Sequence, residues 1–240
     1  MTSPPLPDLA GLLGPDPLAP PLARELVSDA PDWGRLLEEV GPRVFALPLL
    51  RAEACARLLG EVDRRQAGAL EAGAGGRAPN SMHGYGAVLG ELGLDALLRE
   101  LRERVVAPIA AVHYADVGGL ELDGEYGFLA EYGRDADDEL GFHVDDSAVT
   151  LNLCLGERFS GTELYFRGLR CDEHRQLPPT PGEAFEYVHE PGVAILHAGR
   201  HRHGVYPLLR GRRRNLILWC QSAAAKEAAR SCQPWCGARD

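Results

Sequence analysis

The second half of this 240-residue chain, from about His113, is built of short strand-like segments separated by Gly, Pro and Asp. In the stretch Thr150–Leu155 the leucines alternate with other residues, which is typical of a strand buried on one face. Many short strands at regular spacing favour a β-sandwich or jelly-roll barrel. The candidate strands are Gly127–Tyr132, Ala148–Leu155, Glu163–Phe166, Ala184–His189, Val193–His197, His203–Leu208 and Asn215–Cys220.

Helical periodicity is found in the first half of the chain. The apolar positions that share one helix face are Cys55, Leu58, Leu59 and Val62 in one segment and Leu94, Leu97, Leu98, Leu101 and Val105 in another. Pro108 is expected to end the second helix. We therefore predict a mainly β fold with α elements: a double-stranded β-helix (jelly-roll) core with an N-terminal helical layer packed on it.

Composition divides the chain into four regions. Residues 1–21 hold seven of the 18 prolines and predict an extended, flexible leader. Residues 22–112 form the helical region, which includes a Gly- and Ala-rich stretch at 67–90 with the composition of a loop and is a candidate lid. Residues 113–222 form the jelly-roll core, and residues 223–240 form a C-terminal tail.

Charge and cysteine content limit the function classes. A formal net charge of -10 disfavours a nucleic-acid binder, and no apolar run is long enough to span a bilayer. Six cysteines without a secretory signal are expected to be reduced thiols in the cytoplasm. Cys232 and Cys236 have no matching second cysteine pair, which predicts free thiols on a frayed tail.

A metal-ligand pattern stands in the strand-rich half. His143 and Asp145 lie two residues apart, so on a strand both side chains project from the same face. His203 completes a 2-His-1-carboxylate facial triad, the ligand set that holds non-haem Fe(II) and leaves the opposite positions open. His201 shares a face with His203, and the other histidines, His174 among them, are assigned no metal role. The alternative is a surface ion pair of His143 with Asp145 and a core His203.

Arg213, ten residues beyond His203, adds a fixed cation suited to binding a carboxylate bidentately. A metal with a carboxylate clamp indicates an oxygenase that consumes 2-oxoglutarate. The alternative is that Arg213 belongs to a solvated basic turn, with Arg212 as the clamp if the register shifts. Trp219 lies on the same strand face as Arg213, so it is predicted either to wall the substrate pocket or to belong to the core.

Residues 197–213 resemble the second half-motif of prolyl 4-hydroxylase and lysyl hydroxylase catalytic domains. In that family the iron histidine precedes a Val or Gly, a Pro and a Gly-x-Arg or Gly-x-Lys, and here His-Gly-Val-Tyr-Pro is followed by Gly-Arg-Arg. Residues 161–166 are similar to the family's Gly-Gly-x-Leu-x-Phe, although Thr162 stands in place of the second glycine. The resemblance covers residues 125–222 well.

The resemblance implies an Fe(II) site at the triad, with Arg213 binding the distal carboxylate of 2-oxoglutarate, O2 as the other cosubstrate and ascorbate as a candidate reductant. Tyr132 stands where related hydroxylases often carry a tyrosine that hydrogen-bonds the cosubstrate; the alternative is a packed strand aromatic. Asn152, a polar residue in an apolar strand, is a candidate partner of the cosubstrate or a satisfied structural amide.

The predicted function is that of an Fe(II)- and 2-oxoglutarate-dependent dioxygenase that releases succinate and CO2. Its substrate is expected to be a C–H bond of an amino-acid side chain, in a protein, peptide or free amino acid, or of a small metabolite, with no nucleic acid and no membrane as partner. The predicted substrate-pocket residues are Asn80, His83, Tyr85 and Trp219. Two alternatives stay open: a Zn-dependent hydrolase-like enzyme on the same ligands, and a non-catalytic jelly-roll binding module.

Overall fold

The computed structural model describes residues 7–14, 16–28, 31–73 and 78–238. In the first half, a π-helical segment (Arg102–Val106) joins two helices, and a short 3-10 turn (Ala115–Val117) leads into the strand-rich half. The helices there are α1 (Pro7–Leu13), α2 (Pro20–Glu25), α3 (Trp33–Leu36), α4 (Ala52–Glu71), α5 (Asp95–Leu101) and α6 (Ala107–His113), and the strands are β1 (Glu38–Gly41), β2 (Val44–Pro48) and β3 (Gly86–Val88).

The strand-rich half supplies most strands of two large antiparallel sheets that face each other, and a separate two-stranded pair. The elements are β4 (Gly124–Tyr132), β5 (Leu140–His143), β6 (Val149–Gly156), β7 (Phe159–Gly161), β8 (Leu164–Leu169), β9 (Ala184–Tyr187), β10 (Val193–Ala198), β11 (His201–Val205), β12 (Leu208–Gly211), β13 (Arg213–Gln221) and α7 (Ala223–Ala228). A seven-stranded sheet has the order β1-β2-β10-β6-β13-β4-β3, a four-stranded sheet has the order β5-β11-β8-β9, and β12 pairs with β7. The predicted jelly roll with a helical layer is confirmed.

The seven-stranded sheet separates two apolar clusters. On β13, Leu216 and Leu218 pack in the cluster shared with α4, α5 and α6, while Ile217 and Trp219 pack between the two sheets. This alternation follows from the two-residue period of a strand, and it places Arg213 on the inner face, as its spacing from Trp219 predicts. Each fully buried Leu contributes on the order of 2 kcal/mol to folding.

The first half is less purely helical than the sequence predicts. β1, β2 and β3 all lie within residues 22–112 and extend the large sheet at both edges. Strands of three to five residues are too short for their periodicity to be recognised in isolation. β2 and β3 join the sheet by pairing with β10 and β4, which are distant in sequence. Pro108 does not end the helical path either: it lies near the start of α6, where its missing N–H needs no partner, directly after the π-helical segment.

Three predicted loop or tail regions are more ordered than expected. The described part of residues 1–21 contains α1, whose Leu9 and Leu13 are buried, so the flexible-leader prediction was wrong there; residues 1–6 and 15 lie outside the described residues. The stretch 67–90 is helical up to Glu71 and ends in β3, and its residues 74–77 lie outside the described part. The tail contains α7, and its Cys236 is buried.

One strand predicted from the sequence is divided between two strands in the structure. The segment His203–Leu208 divides into β11, which ends at Val205, and β12, which begins at Leu208. Pro207 lies in the break, where it cannot donate to a strand ladder. None of the helices among the described residues is long and apolar enough to cross a membrane.

Candidate metal centre

The structure brings His143, Asp145 and His203 together in the space between the two sheets. His143, the last residue of β5, pairs directly with His203 of β11, and their rings lie 4.3 Å apart between centroids. One oxygen of Asp145, Oδ1, lies 3.4 Å from His143 Nε2 and 3.8 Å from His203 Nε2. The three ligand atoms all lie within 4.8 Å of one another, so a single ion fits among them.

Hydrogen bonds on the far side of each imidazole fix which nitrogen faces the centre. His143 Nδ1 lies 2.7 Å from the Gly141 carbonyl oxygen, and His203 Nδ1 lies 2.8 Å from that of His201. A carbonyl accepts only, so each Nδ1 donates its hydrogen to it and each Nε2 faces Asp145. Burial also lowers the pKa of His203 well below its usual value, which keeps this imidazole neutral as a metal ligand must be.

The carboxylate of Asp145 is oriented in the same way. Thr150 donates its hydroxyl hydrogen to Asp145 Oδ2 at 2.6 Å, which leaves Oδ1 to the two histidines. The backbone N–H of Asp145 donates to the Gly199 carbonyl at 2.9 Å. A Cβ on Gly199 would lie 2.0 Å from the Ser147 carbonyl oxygen, so only glycine allows this close approach. Burial would raise the pKa of Asp145, but His203 and His143 outweigh it and lower the pKa well below its usual range.

The ambiguity between His201 and His203 is resolved by an irregularity of β11. The pairing of β11 with β8 shifts register between the two residues, so they do not present their side chains equivalently. His201 packs edge-on against Phe166 at 5.0 Å, outside the ligand group. His197 lies beside the centre, its Nε2 being 3.8 Å from Asp145 Oδ2.

Arg213 is a buried cation next to this centre. Its guanidinium lies 4.3 Å from the ring centroid of Tyr132 and donates to the Thr162 carbonyl, and among the described residues no carboxylate forms an ion pair with it. Its Nε has no hydrogen-bond partner among those residues. Because an unpaired buried charge is costly, this environment fits an anionic ligand. Arg212, by contrast, is 43% exposed and pairs with Glu131 at 2.6 Å.

The backbone at Thr162 explains why glycine is usual at this position. Thr162 has a φ of 61°, in the left-handed region that glycine adopts without strain. In this conformation the Thr162 carbonyl accepts a hydrogen bond from Arg213.

Most of the predicted pocket residues line one cavity with the triad. They are His83, Tyr132, Asn152, Arg213 and Trp219. Tyr132 Oη lies 3.4 Å from His83 Nε2, and Asn152 accepts a hydrogen bond from Asn215, an amide that the sequence interpretation did not single out. Both ring nitrogens of the buried His189 also lack hydrogen-bond partners among the described residues. Burial lowers the pKa of His189 well below its usual value, and the charge of Arg213 adds to this effect.

Asn80 and Tyr85 do not reach this cavity. The Asn80 side chain accepts from the backbone N–H groups of Met82 and His83, both at 2.9 Å, and so shapes the loop. Tyr85 is 51% exposed, and its backbone N–H donates to Asp137. The described part of the candidate lid is therefore held by hydrogen bonds, and the mobility that a lid requires stays a prediction.

The tail cysteines are not on a frayed end. Cys232 and Cys236 lie together with Cys171 and His174, with the ligand atoms of all four within 4.8 Å of one another. The prediction that gave His174 no metal role and left the tail cysteines isolated missed this group, because its two halves are about sixty residues apart in sequence.

Comparison with known proteins gives consistent matches. The profile of the 2OG-Fe(II) oxygenase superfamily matches residues 110–222, and that of the OGFOD2-like domain matches residues 21–119. The chain is 43% identical over 210 residues to 2-oxoglutarate and iron-dependent oxygenase domain-containing protein ICU11 of Arabidopsis thaliana, covering 86% of this chain and 53% of that protein. It is 38% identical over 187 residues to 2-oxoglutarate and iron-dependent oxygenase domain-containing protein 2 of Homo sapiens, covering 78% of this chain and 51% of that protein.

The chain thus spans about half the length of the curated relatives it matches. Among solved structures, EvdO2 from Micromonospora carbonacea var. aurantiaca complexed with 2-oxoglutarate is similar at 18% identity and a TM-score of 0.49, with 83% of this chain and 94% of that chain covered.

Proposed function

Because residues 110–222 form a domain of the 2OG-Fe(II) oxygenase superfamily, whose members use Fe(II), 2-oxoglutarate and O2, we propose that the chain is a 2-oxoglutarate-dependent dioxygenase. The observation that carries this proposal is the pairing of two features in one cavity. His143, Asp145 and His203 offer three converging ligand atoms, and Arg213 offers a buried cation without a carboxylate partner among the described residues. A metal ion would use the three ligand atoms, and a dianion that chelates the metal would also use the Arg213 cation.

Each residue has a role in binding or orientation. His143, Asp145 and His203 hold Fe(II) on one face, and Arg213 binds the distal carboxylate of 2-oxoglutarate. Bound Fe(II) with 2-oxoglutarate and O2 supplies the oxidising power for C–H hydroxylation, with succinate and CO2 as products. The apolar residues between the sheets, among them Phe128 and Ile217, exclude bulk water from this cavity and strengthen the Arg213 interaction.

Tyr132 serves as a neutral hydrogen-bond donor at the cosubstrate. Burial raises the pKa of Tyr132 to about 12, so the phenol keeps its proton at neutral pH. Burial lowers the pKa of His83 to about 4, so this imidazole is neutral; its Nε2 lies 3.4 Å from Tyr132 Oη. Asn152 accepts a hydrogen bond from Asn215, and its side-chain amide is a further polar group in the lining of the same cavity.

The substrate that we propose is an amino-acid side chain, in a protein, peptide or free amino acid, or a small metabolite. Because the third ligand is the carboxylate of Asp145, we propose hydroxylation as the outcome of the reaction. A zinc hydrolase on the same ligands gives the buried Arg213 no function. The absence of nucleic-acid and membrane partners, the use of ascorbate and the cytoplasmic location stay predictions.

Arginine substitutions test the proposal. Arg213→Ala should raise the apparent KM for 2-oxoglutarate, measured by succinate formation with added Fe(II), by roughly ten to a hundred and fifty times, because a charged hydrogen bond contributes about 1.5–3 kcal/mol. Arg212→Ala is the matched control, since Arg212 pairs with Glu131 on the surface, and it should change KM little. If the two variants exchange phenotypes or neither changes KM, the carboxylate clamp is wrongly assigned.

A further inference from the structure

A second group of ligand atoms lies apart from the iron triad, where the C-terminal tail meets the turn after β8. Cys171 and His174 belong to that turn, and Cys232 and Cys236 belong to the tail beyond α7. His174 Nδ1 lies 3.2 Å from Cys171 Sγ and 3.6 Å from Cys236 Sγ, and all four ligand atoms lie within 4.8 Å of one another. We propose that these four residues bind one structural zinc ion.

The dimensions of the group match a tetrahedral zinc site. With Zn–S near 2.3 Å and Zn–N near 2.0–2.1 Å, the edges of such a tetrahedron measure about 3.5–3.8 Å. The two distances of 3.2 and 3.6 Å from His174 Nδ1 lie close to that range. Four protein ligands leave no open position, which is the composition of a structural site, and three thiolates select zinc over harder cations.

The sequence spacing gives each half of the site a short turn. The pairs are Cys-x2-His at 171–174 and Cys-x3-Cys at 232–236, so each pair can reach one ion without a long loop. Backbone hydrogen bonds hold the halves together: Asp172 N–H donates to the Ala229 carbonyl at 3.2 Å, and Gly237 N–H donates to that of Leu169 at 3.1 Å. The site is therefore assembled by the fold.

The electrostatic environment suits a thiolate cluster. Zinc with three thiolates and a neutral imidazole carries one net negative charge. Arg202 is 2% exposed, its guanidinium donates to backbone carbonyls that include those of Gly168 and Arg175, and among the described residues no carboxylate forms an ion pair with it. The negative charges that act on Arg202 are those of Glu183, which is hydrogen-bonded to Arg170, and of Cys236. A negative metal cluster would balance this buried cation.

The hydrogen bonds at Cys236 support the same reading. The backbones of Cys171 and Ala238 hydrogen-bond to the Cys236 thiol. Donors around the sulfur are what a metal-bound thiolate needs.

A zinc ion here would fix the tail in place. The tail residue Trp235 and the turn residue Asp172 both line a cleft of about 550 Å³ that Asp145, one of the proposed iron ligands, also lines. By joining the tail to the turn after β8, the zinc would hold one wall of this cleft and contribute to folding.

Metal analysis of the full chain, purified under reducing conditions without chelator, tests the site directly. We expect about one zinc per chain with sulfur neighbours near 2.3 Å in X-ray absorption. The iron triad has no sulfur ligand, so zinc bound there would show nitrogen and oxygen neighbours only. The absence of sulfur-bound metal, or a disulfide among Cys171, Cys232 and Cys236 in the native protein, would overturn the proposal.

A matched pair of cysteine variants adds a second measurement. Cys232→Ala should weaken zinc binding by roughly a hundredfold or more, since a structural site depends on its full ligand set. Cys55→Ala removes a thiol buried in α4, away from the cluster, and should retain the metal. Equal zinc affinity in the two variants contradicts the assignment. If Cys232→Ala does not fold, chelation of the wild-type chain replaces it: the metal-free form should be cleaved faster by trypsin at Lys226 and Arg230, and unchanged cleavage counts against the site.

Discussion

Each candidate iron ligand is oriented by a partner that the sequence does not reveal. Backbone carbonyls fix the tautomers of His143 and His203, and Thr150 occupies one oxygen of Asp145. The ligand types were predictable, because a His-x-Asp pair on a strand places both side chains on one face. Which nitrogen or oxygen of each side chain faces the centre was not predictable, because this depends on hydrogen bonds that form only in the folded chain.

Substitution of Thr150 tests this orientation. Thr150→Val keeps the shape of the side chain but removes the hydroxyl that donates to Asp145 Oδ2, so Fe(II) affinity should fall by roughly ten to a hundred times. Thr150→Ser retains the hydroxyl and serves as the control, with affinity close to that of the wild type. Anaerobic Fe(II) titration measures both variants, and an unchanged affinity for Thr150→Val would show that the carboxylate needs no such support.

Residues that combine across long sequence distances mark the limit of the sequence analysis. Arg213 was identified because it follows His203 at a fixed interval on the chain. The group of Cys171, His174 and the tail cysteines was missed, because a Cys-x2-His pair and a Cys-x3-Cys pair become one site only after folding. Spacing along the sequence therefore predicts a binding site only when its residues lie on one strand or within one motif.

Among the elements, the long central strands were predictable and the short edge strands were not. β6 shows clear alternation in sequence and β13 contains the apolar run 216–220, and each strand is buried along nearly its whole length. β3 has three residues and pairs with β4 more than thirty residues away, so local sequence carries little information about it. The π-helical segment lies directly before α6, whose first turn contains Pro108, and periodicity alone does not anticipate it.

The connection between β8 and β9 contains an ion pair that makes stability depend on pH. Glu183 accepts two hydrogen bonds of 2.7 Å from the buried Arg170. Burial would raise the pKa of Glu183, but Arg170 and Thr180 outweigh it and lower the pKa to about 2, from an ordinary value of 4.5. A lowered folded-state pKa means that the stabilisation is complete above pH 4.5 and is lost as the pH falls towards 2.

Glu183→Gln should therefore reduce the free energy of unfolding by about 1–2 kcal/mol at pH 7, allowing for partial solvent screening. The difference from the wild type should shrink as the pH is lowered from 4.5 to 2. Urea unfolding across this range measures it, with Glu173→Gln, an exposed residue of the preceding turn, as control. A difference that is constant with pH would mean that the carboxylate is not stabilised by Arg170.

In the whole molecule, the large sheet carries the helical layer on one face and the metal centre on the other. The strand periodicity that buries Leu216 and Leu218 against the helices directs Arg213 and Trp219 towards the small sheet. The helices thus stabilise the sheet from outside, and the cavity between the sheets is left to binding residues. This division was predictable as a fold class, whereas the contribution of β1, β2 and β3 to the sheet required the structure.

The most direct test of the account is the Fe(II) dissociation constant of His203→Ala and His201→Ala, measured anaerobically beside the wild type. The two residues lie in the same strand, so both variants disturb β11 similarly, but only His203 directs a nitrogen at Asp145. We predict that His203→Ala weakens Fe(II) binding by roughly a hundredfold or more and abolishes 2-oxoglutarate turnover, while His201→Ala keeps most of both. Loss of iron in His201→Ala with retention in His203→Ala would contradict the assignment of the metal centre.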